Sequence, residues 1–226
     1  MRIPYDTSAC LGRDFIDLPQ EVIAAILITV NEGWRHAWAC DDVNVLSREI
    51  FTTERLRDGM RNALKSAKHS WSKTIKLVVL PGTESRSGTN VVVPDGRTDI
   101  PLLSIEIFLR TEVHDPHAII ECKRIAGSDT HLCREYVVEG VDRFRKGKYG
   151  QNHTVGFMVG YVLSGTAAQS AEGVNIYLKR ASRNEDVLEP EEVCDTVRSW
   201  ASRHTRAIPP PIYLYHVFLG VADVVT

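Results

Sequence analysis

The segment Ile119-Ile120-Glu121-Cys122-Lys123 decides the fold that this sequence predicts. An apolar run rich in β-branched residues is typical of a buried strand. Here the run ends in an acid and a base two residues apart. Because side chains alternate across a strand, Glu121 and Lys123 are expected to point to one face of the sheet and Cys122 to the other.

A second acid stands at the start of an earlier predicted strand, in Gly96-Arg97-Thr98-Asp99-Ile100. The separation of Asp99 from Glu121 suits two neighbouring strands of a hairpin. Two carboxylates beside a lysine form a compact cage for a hard divalent cation and a water, and the main-chain carbonyl of Cys122 is a further candidate ligand. Such a group suits phosphodiester hydrolysis, in which the metal neutralises charge on the phosphorane and the lysine orients the attacking water. The alternative is an edge strand that turns a Glu and Lys pair towards solvent.

Composition and charge narrow the classes of function. The 226 residues suit one sizeable core. The formal net charge of −2 excludes the overall basic field of many DNA-binding proteins, so any nucleic-acid contact must come from a local patch. Five cysteines without a CxxC pair argue against a disulfide framework and a structural zinc site. The start does not read as a signal peptide, and the longest apolar run, 22–30, is too short to cross a bilayer, so a cytoplasmic protein is expected.

The predicted elements begin with helices and continue with a cluster of strands. Helical spacing of apolar residues predicts helices over 18–32, 45–68 and 129–146, and Pro190-Glu191-Glu192 opens another over 190–203. Strands are predicted over 75–80, 91–93, 100–110, 118–125, 155–163, 174–178 and 213–221, with a polar loop at 83–89. This order indicates an α/β (α+β) fold with a central mixed sheet flanked by helices. An N-terminal helical region, 1–70, is expected to pack on a core formed by 71–226, within one compact domain.

This arrangement resembles the PD-(D/E)XK nuclease superfamily, which has the restriction-endonuclease-like fold. The matching residues are Asp99, in Arg97-Thr98-Asp99-Ile100, and the triplet Glu121-Cys122-Lys123 after an apolar strand. The predicted helix after the triplet also suits the superfamily's order of helix, hairpin, strand, helix and strand. The resemblance covers residues 45–165 and leaves the C-terminal third unexplained. It implies that Asp99 and Glu121 bind Mg²⁺ or Mn²⁺ and that Lys123 positions the attacking water.

Other acids of the sequence could join this predicted site. Superfamily members often add an acid from the N-terminal helix, and Glu49 and Glu54 are candidates for it, with Glu32 behind them. Glu54 is preferred as a further metal ligand, although each of the three is otherwise expected to be a solvated helix charge. A literal Pro94-Asp95 pair is interpreted as a turn, because Gly96 follows it.

The densest basic segment lies at the end of the predicted helix after the triplet. Its cations could grip phosphates and its aromatic residues could stack on a base or a sugar. A charged helix end that complements the helix dipole is an equally good interpretation. Gly140, earlier in the same helix, indicates close packing against a strand. The predicted nucleic-acid contacts are Arg143, Arg145, Lys146, Lys148 and Tyr149.

The expected function is therefore Mg²⁺-dependent hydrolysis of DNA by an endonuclease, and the resemblance implies products with 5′-phosphates. DNA is the favoured partner, and a homodimer or a partner protein is expected to supply targeting, since no sequence-reading module is recognised. By analogy alone, such a nuclease suits bacterial defence against phage or restriction of mobile DNA. Two alternatives remain open: a catalytically inactive adaptor with the same fold, and an unrelated α/β ligand-binding module.

Overall fold

The computed structural model describes residues 15–40, 43–44, 47–66, 70–85, 96–207 and 210–220. The helices are α1 (Gln20–Trp38), α2 (Glu49–Ser66), α3 (Ile105–Thr111), α4 (Thr130–Tyr136), α5 (Asp142–Arg145) and α6 (Ala167–Arg180). A π turn (Val137–Val141) joins α4 to α5, and short 3₁₀ turns lie at Ser70–Lys73 and Asn184–Asp186. The strands are β1 (Leu77–Val79), β2 (Glu84–Ser85), β3 (Gly96–Arg97), β4 (Ile100–Ser104), β5 (Ala118–Ala126), β6 (Val155–Ser164), β7 (Glu189–Cys194), β8 (Val197–His204) and β9 (Ile212–Leu219).

Seven of the described strands form one mixed sheet in the order β1-β4-β5-β6-β9-β8-β7. The central strands β5, β6 and β9 are parallel, and the strands on either side of them pair antiparallel. The connections between the parallel strands contain helices, as such crossovers usually do. The sheet and its flanking helices confirm the predicted α/β (α+β) class with a central mixed sheet.

Helices cover both faces of the sheet, and each face has its own buried cluster. Alternate residues of β5 divide between the clusters: Ile120 and Cys122 pack with α1 and α2, whereas Ile119 packs with α4, the π turn and α6. By the same alternation Glu121 and Lys123 leave the strand on the face of the π turn. The strand therefore presents its acid and its base to one side of the molecule and its cysteine to the other.

The strand predicted over 100–110 is wrong in its second half. β4 ends at Ser104, and α3 begins at the next residue. The Ser104 hydroxyl accepts a hydrogen bond from the Ile107 amide at 3.4 Å and so caps the new helix. The apolar residues of this stretch continue across the boundary, which hides the change of period in the sequence.

In the C-terminal third, two further predictions are wrong. The strand predicted over 174–178 lies inside α6, which opens with a capping box in which Thr166 and Gln169 each accept a hydrogen bond from the other's amide. The helix predicted over 190–203 is the β7–β8 hairpin. Several buried residues of β8 are polar, among them Ser199, Ser202 and His204. Their burial depends on hydrogen bonds, so the apolar pattern of a strand is missing there.

The other predicted helices and strands of the described residues are present with shifted ends, and the helix over 129–146 contains the π turn. The polar loop predicted at 83–89 contains the short strand β2, and its last residues, 86–89, lie outside the described residues. The predicted strand over 91–93 and the Pro94-Asp95 turn lie outside the described residues. Among the helices of the described residues, none has the length and apolar character needed to cross a membrane.

Candidate active site

The candidate site lies at an open edge of β5. β4 pairs with β5 only as far as Ile120, whereas β5 continues well past this point. The backbone N–H groups of β5 that face β4 beyond Ile120 must therefore find other acceptors. The amide of Cys122 donates to Asp99 Oδ2 at 2.8 Å, and the amide of Arg124 donates to Glu49 Oε2 at 3.0 Å. The open edge thus binds two carboxylates, one from the segment before β4 and one from the first turn of α2.

Lys123 lies at the centre of this cluster. Its Nζ is 3.0 Å from Glu121 Oε1, 3.0 Å from Glu49 Oε1 and 3.0 Å from the carbonyl oxygen of Cys122. Glu49 belongs to α2, which covers the opposite face of the sheet from the π turn. The ammonium therefore reaches past the open edge of β5 and joins acids that come from both faces.

Glu121 is almost completely buried, with 1 % of its surface exposed. Its Oε1 lies 3.7 Å from Arg143 Nε, and the Asp99 carboxyl is close enough for its charge to act on Glu121. Burial and, after it, the charge of Asp99 raise the pKa of Glu121 to about 8, against the opposing effects of Lys123 and Arg143. At neutral pH the Glu121 carboxyl is therefore mostly protonated.

The acids around Lys123 and the lysine itself have shifted pKa values. Burial raises the pKa of Asp99, while Lys123 and the Cys122 amide act in the opposite direction. Burial lowers the pKa of Lys123, but Glu121, Glu49 and Asp99 together outweigh it and hold this pKa above its ordinary value. The lysine is thus a permanent ammonium ion and not a general base. Of the three carboxyl groups around this ammonium, Glu121 keeps its proton, and a further cation could take the place of that proton.

Arg143 joins the cluster from α5. Its guanidinium donates a hydrogen bond to the Tyr149 hydroxyl, which in turn donates to the carbonyl of Arg97 at 2.8 Å. Arg97 stands two residues before Asp99, so Tyr149 links the acid-bearing segment to the helix that carries Arg143. Burial and the charge of Glu121 raise the pKa of Tyr149 to about 12, which keeps its hydroxyl protonated as a donor.

The five predicted nucleic-acid contacts therefore have different positions. Tyr149 is fully buried and cannot stack on a base or a sugar, which corrects that prediction. Arg143 is the member of the set that reaches the acids. Arg145 and Lys146 lie on the surface, 3.7 and 3.6 Å from the Asp142 carboxylate, and Lys148 is exposed.

The acid that α2 contributes is Glu49, not Glu54. Glu54 is 58 % exposed and pairs with Arg57 at 4.0 Å. Glu32 pairs with Arg35 on α1 at 3.1 Å. Helical spacing names Glu49 as a candidate but cannot rank it above Glu54. Only the length by which β5 extends beyond β4 creates the free amide that Glu49 binds.

The π turn packs directly against the site. A Cβ atom on Gly140 would lie 2.5 Å from Met158 Cε and 3.4 Å from Lys123 Cγ, so this glycine permits the close packing against a strand that the sequence indicates. Tyr136, just before the π turn, turns away from the acids and hydrogen-bonds to His216 at 3.0 Å. The helix after the triplet therefore serves the site through its backbone packing as well as through Arg143.

The oxygen atoms of this cluster suit a hard divalent cation. Asp99 and Glu121 offer carboxylates, and Glu121 Oε2 is buried without a hydrogen-bond partner in the described structure. The Cys122 carbonyl is on the same side, since it contacts Lys123. No three His, Cys, Asp or Glu side chains of the described ranges form a metal-binding group by themselves. A cation here would combine two acids and a carbonyl with water or substrate oxygens, as Mg²⁺ commonly does.

Comparisons of the chain with protein-family models, with curated proteins and with solved structures find no match. The resemblance to PD-(D/E)XK nucleases therefore depends on the residues and geometry of this site alone.

Proposed function

We propose that this protein is a Mg²⁺-dependent endonuclease that hydrolyses DNA phosphodiester bonds. One observation carries the proposal. A buried acid, Glu121, and a half-buried acid, Asp99, lie together beside the ammonium of Lys123, and one Glu121 oxygen lacks a hydrogen-bond partner among the described residues. Burying such a group costs free energy unless a ligand completes it. A divalent cation would replace the proton on Glu121 and satisfy this oxygen.

Asp99, Glu121 and the Cys122 carbonyl are the groups that would hold the metal. When bound, Mg²⁺ would neutralise charge on the scissile phosphate and favour ionisation of an attacking water. Lys123 keeps its proton, so its part is to orient this water and to stabilise the hydroxide that forms. Glu49 contacts the ammonium at 3.0 Å from the side opposite Glu121 and so holds it between the two carboxyl groups.

Arg143 supplies a second fixed positive charge for the phosphate. Its side chain is 30 % exposed, so one part contacts Tyr149 and Glu121 while another part remains open to a substrate. The surface cations Arg145, Lys146 and Lys148 lie next to it in the chain and would bind neighbouring phosphates. In a protein of net charge −2, this local patch is the feature that would attract a polyanion.

Cleavage of supercoiled plasmid and of end-labelled single-stranded DNA tests the proposal. We expect cleavage in Mg²⁺ or Mn²⁺, none in EDTA, and products with 5′-phosphates. Lys123→Ala and Glu121→Gln should both abolish it. Lys179→Ala is the matched control, because Lys179 is an exposed lysine of α6 that none of the site contacts involves. Cleavage that persists unchanged in both site variants would come from a contaminant and would contradict the proposal.

Thermal denaturation separates an inactive protein of this fold from an active one. Binding of Mg²⁺ or Mn²⁺ to the folded state should raise Tm in proportion to RT ln(1 + [metal]/Kd). We expect this shift in the wild type and not in Glu121→Ala. A metal-dependent shift without any DNA cleavage would favour the inactive adaptor. Absence of both would exclude the metal site.

A further inference from the structure

A chain of polar contacts crosses the core and meets the π turn at both of its ends. Tyr136 precedes the π turn directly, and Asp142 follows it directly. The contacts join seven residues from different parts of the sequence, which are called the polar chain: Tyr136, His216, Ser202, His204, Asp186, Arg183 and Asp142. Its contacts are Tyr136 Oη to His216 Nδ1 (3.0 Å), His216 Nε2 to Ser202 Oγ (2.7 Å), Ser202 Oγ to His204 Nε2 (2.7 Å), His204 Nδ1 to Asp186 Oδ1 (3.1 Å), Asp186 Oδ2 to Arg183 Nε (2.6 Å) and Arg183 Nη1 to Asp142 Oδ1 (3.0 Å).

The middle of the polar chain is fully buried, with Tyr136, His204 and His216 at 0 % exposure. One arrangement of protons is consistent with the three hydrogen bonds from Tyr136 to His204. Tyr136 donates to His216 Nδ1, His216 Nε2–H donates to Ser202, and Ser202 donates to His204 Nε2. The remaining ring proton of His204 then lies on the side of Asp186. Burial and the neighbouring His204 lower the pKa of His216 well below its ordinary value, in agreement with a neutral ring.

The C-terminal third supplies most of the polar chain. His216 belongs to β9 and Ser202 to β8, and Arg183 and Asp186 follow α6. Burial raises the pKa of Asp186, but hydrogen bonds to His204 and Arg183 outweigh it and lower the pKa to about 2. Asp186 is therefore a fixed anion that joins the buried histidines to the arginine. These residues belong to the C-terminal third of the protein, which the resemblance to nucleases does not explain.

The π turn connects these contacts to the candidate active site. A π turn is wider than an α-helical turn, is rare, and occurs mostly as a single turn at functional sites. Gly140 of the π turn packs on the side chain of Lys123. Arg143 is the residue after Asp142, and its guanidinium lies 3.7 Å from Glu121. A shift at either end of the π turn would therefore move Arg143 relative to Glu121.

We propose that the polar chain is a positioning device, which holds both ends of the π turn and so fixes Arg143 against Glu121. Ser202, His204 and His216 are then positioning residues, since none of them touches the acids of the site. The catalytic consequence of this inference rests on the proposed function, whereas its effect on the π turn does not.

Ser202→Ala tests the inference, because it removes the hydroxyl between the two histidine rings with little change in volume. Ser199→Ala is the matched control: Ser199 is also buried on β8, and its hydroxyl donates to the Glu191 carbonyl at 2.6 Å, outside the polar chain. Hydrogen exchange of residues 137–145 is the first measurement, with the amides of β6 as the internal reference. We expect Ser202→Ala to accelerate exchange of 137–145 about tenfold relative to β6, and Ser199→Ala to leave it unchanged.

DNA cleavage is the second measurement, with kcat reduced in Ser202→Ala and KM little changed. Ser202→Cys keeps a weak donor and acceptor between the rings and should restore part of the protection.

Equal exchange of 137–145 in Ser202→Ala and Ser199→Ala would overturn the positioning role, whatever the activity. If the wild type cleaves no DNA but Ser202→Ala still accelerates hydrogen exchange of 137–145, the proposed function is wrong and the positioning role of the polar chain is supported. Tyr136→Phe removes the first contact of the polar chain, at the residue before the π turn, and gives the same test if Ser202→Ala does not fold.

Discussion

Glu121→Gln should stabilise the metal-free protein at neutral pH, although it removes a carboxyl group that contacts Lys123 Nζ at 3.0 Å. Glu121 is 1 % exposed, and burial together with Asp99 raises its pKa from 4.5 to about 8. A glutamine has nearly the same shape but cannot ionise. Lys123 keeps Glu49 and the Cys122 carbonyl as partners in the variant. The substitution therefore removes the cost of keeping a proton on this acid at neutral pH and leaves the rest of the cluster in place.

The size of the effect follows from the two pKa values. Between pH 4.5 and about 8 the folded protein keeps a proton on Glu121 that the unfolded chain has lost. The folded state binds more protons in this range, so the free energy of unfolding falls as pH rises through it. Each unit of pH contributes about 1.4 kcal/mol, so the wild type loses about 3 kcal/mol through this residue by pH 7. Glutamine avoids this loss, which corresponds to a gain of roughly 6–12 °C in Tm for a chain of this length.

Urea denaturation in EDTA at pH 5 and pH 7.5 measures this difference. We expect the variant to gain stability over the wild type as pH rises, and added Mg²⁺ or Mn²⁺ to stabilise the wild type alone. Glu54→Gln is the control on an exposed acid, and it should stay within about 0.5 kcal/mol of the wild type at both pH values. A Glu121→Gln protein that is less stable than the wild type at pH 7.5, or a difference that does not vary with pH, would refute the reasoning.

Three further substitutions test the packing around the site, each by urea denaturation. Gly140→Ala should cost about 1 kcal/mol, because its methyl group meets the flexible end of Met158. Gly59→Ala should cost about 3 kcal/mol or more, because its methyl group meets the backbone of α1, which cannot move aside. Equal losses of stability in the two glycine variants would contradict this difference between a side-chain and a backbone neighbour. Tyr149→Phe should cost about 1–2 kcal/mol, because the carbonyl of Arg97 loses its donor and the guanidinium of Arg143 loses its acceptor. A variant as stable as the wild type would show that these hydrogen bonds contribute nothing.

The strand β5 and the helices α1 and α2 could be predicted, because each follows from the spacing of apolar residues that are close in the sequence. The alternation of side chains along Ile119 to Lys123 identifies β5 and puts Glu121 and Lys123 on one face, and the strand lies at the centre of the mixed sheet. Helical spacing likewise identifies α1 and α2. These periods are set by neighbouring residues in the chain, so they can be read without knowledge of what packs against them.

Two elements of the C-terminal third, α6 and the β7–β8 hairpin, were not predicted in this way. β8 buries Ser199, Ser202 and His204 against the polar partners Glu191, His216 and Asp186, which lie outside this strand, so its inward positions do not look apolar. Conversely, Val174 and Leu178 have the four-residue spacing of a helix, but the segment is short enough to pass for a strand. For β8 the decisive contacts are with residues outside the strand, whereas the capping box that opens α6 lies upstream of the segment interpreted as a strand.

Local spacing was thus sufficient to name Asp99, Glu121 and Lys123 as a possible group and to give the class of fold. It could not choose Glu49 over Glu54, assign Tyr149 to the core or join the C-terminal strands to the π turn. Those outcomes depend on where β4 stops along β5 and on which buried polar groups meet across the sheet. Such groups must find partners wherever the folded chain brings them, and that requirement has no counterpart in the order of the residues.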